Sequence, residues 1–238
     1  ANRTAWAGDA TRDADESLEI FHRLGDAFGT TEALSARGEA HERRGAHREA
    51  AADYRAAIEH AERLGARAQV AVLRARLGNL LMEAGEAERG ERMLRDVIAS
   101  QDGVHNEALP AARLFLSCWL GLTDRTAEAR EQLRLLREEV TIAHFIVFDT
   151  IILCQKAWLD ALDEHTEEAL TGARAAMRLA SDPLSEAVTP HMRSVVLTVA
   201  ALALARADGG SRAADAARCL GAADALLPPG HVPSGVER

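Results

Sequence analysis

The chain has 238 residues, a formal net charge of −9 and a sequence pI of about 5.5. Its arginines are interspersed with Glu and Asp, which excludes a large nucleic-acid surface, because phosphate binding requires Lys and Arg clustered on one face. Aromatic residues make up only 4% of the chain, while Ala, Leu, Arg and Glu dominate. This composition favours helix almost throughout, so we expect an all-α fold.

The first recognisable element, residues 10–26, resembles only the second helix of a helix pair. Ala14, Leu18 and Phe21 occupy its apolar positions, and no first helix precedes them. A repeat array normally begins with a complete, capped unit. The half repeat therefore predicts that the chain is a fragment of a longer multidomain protein.

The first full repeat, residues 27–65, carries the tetratricopeptide pattern of small and aromatic residues. Gly38 and Ala50 fall where two antiparallel helices approach closely, and Gly45 ends the first helix, where a positive φ costs glycine nothing. Arg37 stands where Leu is usual and His41 where Tyr is usual. The six successive signature positions are occupied by Gly38, His41, Gly45, Ala50, Tyr54 and Ala57.

The later repeats continue with a period of about 40 residues. Gly78 and Gly85 lie 40 positions after their counterparts in the first full repeat. The remaining predicted repeats, with their anchors, are 66–102 (Gly78 and Gly85), 104–141 (Ala129), 142–181 (Ala169) and 185–227, followed by a tail, 228–238. HEAT-like helix pairs share this period and remain an alternative. The tetratricopeptide interpretation predicts one repeat domain, a right-handed superhelical solenoid of antiparallel helix pairs.

In such a solenoid the first helices of the pairs line a concave groove, which is the default binding site. Asn79 stands where peptide-binding tetratricopeptide domains carry an Asn that binds the peptide backbone, but Ser35, Ala75 and Leu114 replace the basic residues of a carboxylate clamp. Two alternatives to groove binding remain. Asn79 could be a solvated helix residue, and the apolar candidates could be core residues. The candidate groove residues are Glu39, Glu42, Arg43, Asn79, Met82, Leu114, Cys118, Cys154 and Trp158.

The sequence carries no motif for catalysis or for metal binding. It lacks a phosphate-binding loop, a zinc-binding HExxH, a nucleophile elbow and a dinucleotide fingerprint. Adjacent carboxylates such as Glu138 and Glu139 point in different directions on a helix, which does not suit general acid–base catalysis. His41, His47 and His60 fit no standard ligand spacing. We therefore expect no enzyme activity, no metal and no cofactor in this chain.

Cysteine usage and hydropathy indicate the compartment. Cys118, Cys154 and Cys219 are far apart in apolar helical stretches, so we expect reduced, buried thiols. The chain has no signal segment at its start, and its most apolar run, residues 142–154, is too short to span a bilayer. These features predict a cytoplasmic protein without membrane contact.

Two segments, residues 24–65 and 213–229, resemble a known family, and the second contains RCLGAADALLPP. Both are similar to the C-terminal repeat regions of large actinobacterial transcriptional regulators. These are the multidomain Streptomyces antibiotic regulatory proteins and their LuxR-type relatives with a central ATPase. The resemblance implies a sensor region that folds over adjacent ATPase and DNA-binding domains and holds them inactive until a signal arrives.

The resemblance also implies partners and cofactors. The partners would be other domains of the parent chain or a separate protein, with a peptide or small molecule as a possible groove ligand. ATP or ADP would bind another domain, and DNA would not contact this chain. The alternative is a free-standing adaptor that docks a partner peptide or helix in its groove. The oligomeric state is left open.

Overall fold

A computed structural model describes residues 4–100, 108–140 and 146–227. All regular structure within these ranges is helical, and consecutive helices pack against each other as pairs. The predicted all-α class of paired helices, as in a helical solenoid, is therefore confirmed. The predicted tail, 228–238, and the starts of the repeats at 104 and 142 lie outside the described residues.

Each predicted repeat contains one helix pair. The half repeat corresponds to α1, and the next four repeats contain α2 with α3, α4 with α5, α6 with α7, and α8 with α9. The helices are α1 (Thr4–Leu24), α2 (Ala27–Glu42), α3 (His47–Arg63), α4 (Arg67–Glu83), α5 (Ala87–Ala99), α6 (Ala108–Leu122), α7 (Thr126–Val140), α8 (Ile146–Leu162), α9 (Thr166–Ala180), α10 (Pro183–Val188), α11 (Met192–Arg206) and α12 (Ala213–Leu226).

The chain forms two compact units that divide within α6, between Leu116 and Ser117. The first unit contains α1 to α5 and the start of α6. The second contains the end of α6 and α7 to α12, with the short helix α10 inserted before the last pair, α11 and α12. One repeat domain was predicted from the sequence, and helix α10 lies across the predicted start of its last repeat at residue 185.

Pairing in the first unit depends on helix contacts that leave no room for a side chain. A Cβ atom built on Gly38 of α2 would lie 2.8 Å from Cε1 of Tyr54 on α3, whose side chain is completely buried. In the next pair, a Cβ on Gly90 of α5 would collide with the backbone carbonyl of Gly78 on α4. Ala50 and Ala57 are also fully buried. The tetratricopeptide positions are thus the points of closest helix approach.

The helix ends of the two units use the same left-handed turn with different residues. In the first unit the turn residue is glycine, and the amide that follows donates to the carbonyl five residues earlier, as from Ala46 to His41 at 2.9 Å. In the second unit Asp124 and Glu164 adopt φ of 58° and 62°, a region that is costly for residues with a Cβ. The glycines with positive φ at helix ends are Gly25, Gly45, Gly65 and Gly85.

We expect Glu164→Gly to raise the free energy of unfolding by about 0.5–1 kcal/mol. Removing the strain of the left-handed conformation stabilises the folded protein by about 1–2 kcal/mol. The extra entropy of glycine in the unfolded chain offsets about 0.5–1 kcal/mol of this gain. Glu168→Gly, in the first turn of α9, is the control at a helical position and should lower stability by a similar amount. Urea unfolding of the three proteins checks this, and equal losses in both variants would contradict it.

Candidate functional site

The first helices of two successive pairs in the first unit share a polar face. We call it the α2–α4 face, and its members are Glu39, Glu42, Arg43, Arg76, Asn79 and Glu83. Nη1 of Arg76 on α4 lies 2.8 Å from Oε1 of Glu39 on α2, so an ion pair joins the two helices. On α4, Nδ2 of Asn79 donates to Oε1 of Glu83 at 3.3 Å. Four of these six residues, Glu39, Glu42, Arg43 and Asn79, are groove candidates predicted from the sequence.

Glu42 is a half-buried carboxylate of the face. Its Oε2 accepts a 2.6 Å hydrogen bond from the Tyr54 hydroxyl, whose ring packs against Gly38 in the pair interior. Burial raises the pKa of Glu42 above its usual value; the hydrogen bond from Tyr54 and the charge of Arg76 oppose the rise, and the nearby charge of Glu83 adds to it. Burial also raises the pKa of Tyr54. Glu42 is therefore an ionisable group held where its charge is disfavoured.

The arginines of the face are directed to Glu39 rather than to the other two glutamates. Arg76 lies 2.8 Å and Arg43 3.9 Å from the Glu39 carboxylate. Within the described ranges, neither Glu42 nor Glu83 has a lysine or arginine nitrogen within 4.0 Å. Beside Glu83 lies His47, whose buried Nδ1 is 4.0 Å from Oε2 of Glu83 and makes no hydrogen bond. Two carboxylates of this face are thus under-neutralised.

A buried ionic network explains the two departures from the tetratricopeptide pattern. Asp53 on α3 has a side chain only 8% exposed, and Nη2 of Arg37 binds it at 2.6 Å. Nδ1 of His41 lies 3.0 Å from the other oxygen of the same carboxylate. Arg37 also reaches Asp15 of α1 at 2.8 Å, so this network joins three helices. Arg37 and His41 are therefore matched to Asp53, a partner that the sequence analysis missed.

The second unit holds a comparable network that the sequence analysis also missed. Asp160 on α8 is 3% exposed and accepts from Arg130 at 2.7 Å and from Lys156 at 2.8 Å. Arg130 also binds Asp163 at 2.7 Å, and this hydrogen bond lowers the pKa of Asp163. The sequence did contain a signal, because a lone Asp among apolar residues of a helix requires a partner.

Several groove candidates are packing residues instead. Met82 is 4% exposed, and its side chain fills the space beside Gly90 between α4 and α5. Trp158 is 7% exposed and lies against Gly121 of α6. Cys154 is 4% exposed, and burial raises its pKa to about 12. These three predictions require correction, because each side chain faces a neighbouring helix rather than an open groove.

The two remaining candidates, Leu114 and Cys118, are half-buried on α6. Leu114 belongs to the first unit and Cys118 to the second. The thiol of Cys118 donates to Oε1 of Gln155 on α8 at 3.0 Å. Of the accessible candidates, those on α2 and α4 form the polar α2–α4 face of the first unit.

The described residues contain neither a metal-binding group nor a helix that could span a membrane. No three His, Cys, Asp or Glu side chains there are grouped to hold a metal ion. His41 binds Asp53, His47 faces Glu83, and the His60 ring lies edge-on to His22 with centroids 6.4 Å apart. In the same ranges, every helix is too short or too polar to cross a bilayer.

Comparisons with known proteins give a structural relative. No family model and no curated protein matches the chain. Its structure is similar to that of BtubC (BKLC) from P. vanneervenii, with a TM-score of 0.69 and 14% sequence identity over 96% of each chain. At this identity the similarity concerns the fold alone, an all-helical, repeat-like architecture that is compatible with a protein-interaction module.

We expect Asp53→Ala to lower the free energy of unfolding by about 2–4 kcal/mol. Removing one partner of a buried ion pair usually costs about 3–5 kcal/mol, and the partial exposure of Arg37 reduces this. The triple variant Arg37→Leu/His41→Tyr/Asp53→Ala should recover most of the loss, because it leaves no unpaired charge. Asp15→Ala, the control, breaks only the exposed arm of the network and should cost less than about 1 kcal/mol. A triple variant as unstable as Asp53→Ala would contradict this account.

We also expect Glu42→Gln to raise the thermal unfolding midpoint at pH 7. The pKa of Glu42 is raised in the folded protein above its ordinary value of 4.5, so ionisation of Glu42 opposes folding. This penalty is absent below the unfolded pKa and develops as the pH rises through the folded pKa. The gain from Glu42→Gln should therefore vanish near pH 4.

Calorimetric melting of both proteins between pH 4 and pH 7 tests this dependence. Glu88→Gln on α5 is the control, because the Glu88 side chain is 91% exposed. It should change the midpoint little at either pH. A gain from Glu42→Gln that is equal at both ends of the range would show that ionisation of Glu42 is not the cause.

Proposed function

We propose that this chain is a protein-interaction module whose α2–α4 face binds a positively charged segment of a partner protein. The observation that carries the proposal is the half-buried pair of carboxylates, Glu42 and Glu83, neither of which forms an ion pair with a lysine or arginine of the described residues, while Arg43 and Arg76 pair with Glu39. Burying charges without an opposite charge is unfavourable. A lysine or arginine from a partner would supply that charge and form short, charge-assisted hydrogen bonds.

Asn79 adds a second kind of contact to the same face. Its amide donates to Glu83 through a 3.3 Å hydrogen bond, which is long for this type of bond. A partner cation bound to Glu83 would replace that contact and leave the amide available to the partner backbone. The face would then bind both a charged side chain and the main chain of an extended or helical segment.

We further propose that the partner is a DNA-binding region controlled by this module, as the resemblance to actinobacterial regulators implies. DNA-binding domains carry clustered Lys and Arg that neutralise phosphates. An acidic face that binds those side chains would compete with DNA for them and hold the regulator inactive. An adaptor that binds a basic peptide of a separate protein is the second candidate, and it uses the same face.

Glu42→Gln/Glu83→Gln should weaken binding of the partner by about tenfold, which corresponds to about 1.4 kcal/mol. The measurement is calorimetric titration of the full chain against the DNA-binding and ATPase portions encoded in the flanking reading frame. Affinity should fall as salt rises, because the attraction is electrostatic. Glu88→Gln is the control and should bind as the natural sequence does.

The outcomes separate the candidates. Binding that depends on Glu42 and Glu83 supports an autoinhibitory module. If the flanking portions do not bind but a helical peptide with lysines on one face does, the adaptor function is favoured. Binding that is equal in the double variant would exclude the α2–α4 face as the contact surface.

A further inference from the structure

The second unit contains an apolar cleft that is separate from the α2–α4 face. Helix α11 packs against both α9 and α12, and these three helices line the cleft. Its volume is about 220 Å³. Leu170 and Met177 of α9 and Val196 and Leu197 of α11 supply most of an almost wholly apolar wall.

The charged side chains that line this cleft are both arginines. Arg174 comes from α9, and Arg212 directly precedes α12. The Arg212 guanidinium lies 3.3 Å from the carboxylate of Asp215, which does not line the cleft. Arg174 makes no ion pair or side-chain hydrogen bond to any residue in the described ranges. An exposed arginine without an ion-pair partner thus lies at the edge of an apolar cavity in a chain of net charge −9.

The first unit offers an internal comparison. There, α3 and α5 flank α4 and form a cleft of the same construction, with Glu62, Arg67, Arg74 and Asp96 in its lining. Two carboxylates balance two guanidinium groups, and Arg74 binds Glu62 at 2.7 Å. An apolar lining with only positive charge is therefore specific to the cleft in the second unit and does not follow from the repeat architecture.

We propose that this cleft binds a small amphiphilic carboxylate, with its hydrocarbon part between α9 and α12 and its carboxylate on Arg174. The volume equals that of about seven water molecules in the liquid, at about 30 Å³ each, which suits an alkyl chain of about seven carbon atoms with its head group at the edge of the cleft. Apolar walls with a few placed polar groups are typical of ligand sites. Arg174 selects an anionic head group, since guanidinium binds carboxylate in bidentate geometry.

Cys219 provides a direct readout, because it lines the cleft and is half-buried. Octanoate should slow alkylation of Cys219 by iodoacetamide several-fold, as measured by mass spectrometry of the peptide. Cys118, also half-buried but outside the cleft, is the internal control and should react at an unchanged rate. Octylammonium, which has the same tail and the opposite charge, should give no protection at equal concentration.

Two variants test the two halves of the site. Arg174→Gln should raise the dissociation constant of octanoate about tenfold, as loss of a hydrogen bond to a charged group does. Arg178→Gln lies on the same helix but outside the cleft and should have no effect. Ala200→Leu should fill the cavity and abolish protection. The proposal is overturned if octanoate does not protect Cys219, if octylammonium protects equally, or if Ala200→Leu leaves protection intact.

Discussion

The close approach of paired helices at residues without side chains is the constraint on which the first unit depends. Gly38 leaves room for the Tyr54 ring, and Gly78 and Gly90 let α4 and α5 meet through their backbones. This contact fixes which side of each first helix faces inward. The opposite side is left to solvent and to partners. Tyr54 connects the inward and the outward side, because its ring fills the pair interior and its hydroxyl binds Glu42 on the α2–α4 face.

Two pairs of carboxylates, Asp53 with Asp160 and Glu42 with Glu83, differ in how they are neutralised. Asp53 and Asp160 are buried and receive two basic groups each, so their charges are satisfied inside the fold. Glu42 and Glu83 are half-buried and receive a hydroxyl and an amide instead of a cation. The first pair holds helices together. The second keeps an unfavourable charge at the surface, and an external cation would stabilise it.

The spacing of small residues predicted the helix pairs and the turns at Gly45 and Gly85, because small residues let helices approach and glycine adopts a positive φ at no cost. It could not predict the turns at Asp124 and Glu164, where the same left-handed conformation is held by residues that rarely adopt it. Trp158 was misplaced because its burial depends on Gly121 of another helix. The Asp53 network was missed because Arg37 and His41 look like isolated departures until the fold brings them to one carboxylate. The local sequence pattern is thus enough to predict the helix pairs, whereas ion pairs between helices can be identified only from the three-dimensional structure.

The most direct test of the α2–α4 face is nuclear magnetic resonance of the full chain during titration with a helical peptide that carries lysines on one face. The side-chain amide of Asn79 is the reporter, since its hydrogen bond to Glu83 would be exchanged on binding. The account predicts saturable shifts of this amide and of the backbone amides around Glu42 and Glu83. It also predicts no shifts with the same peptide carrying glutamates. Shifts confined to the second helices α3 and α5, or no saturable shifts at all, would contradict it.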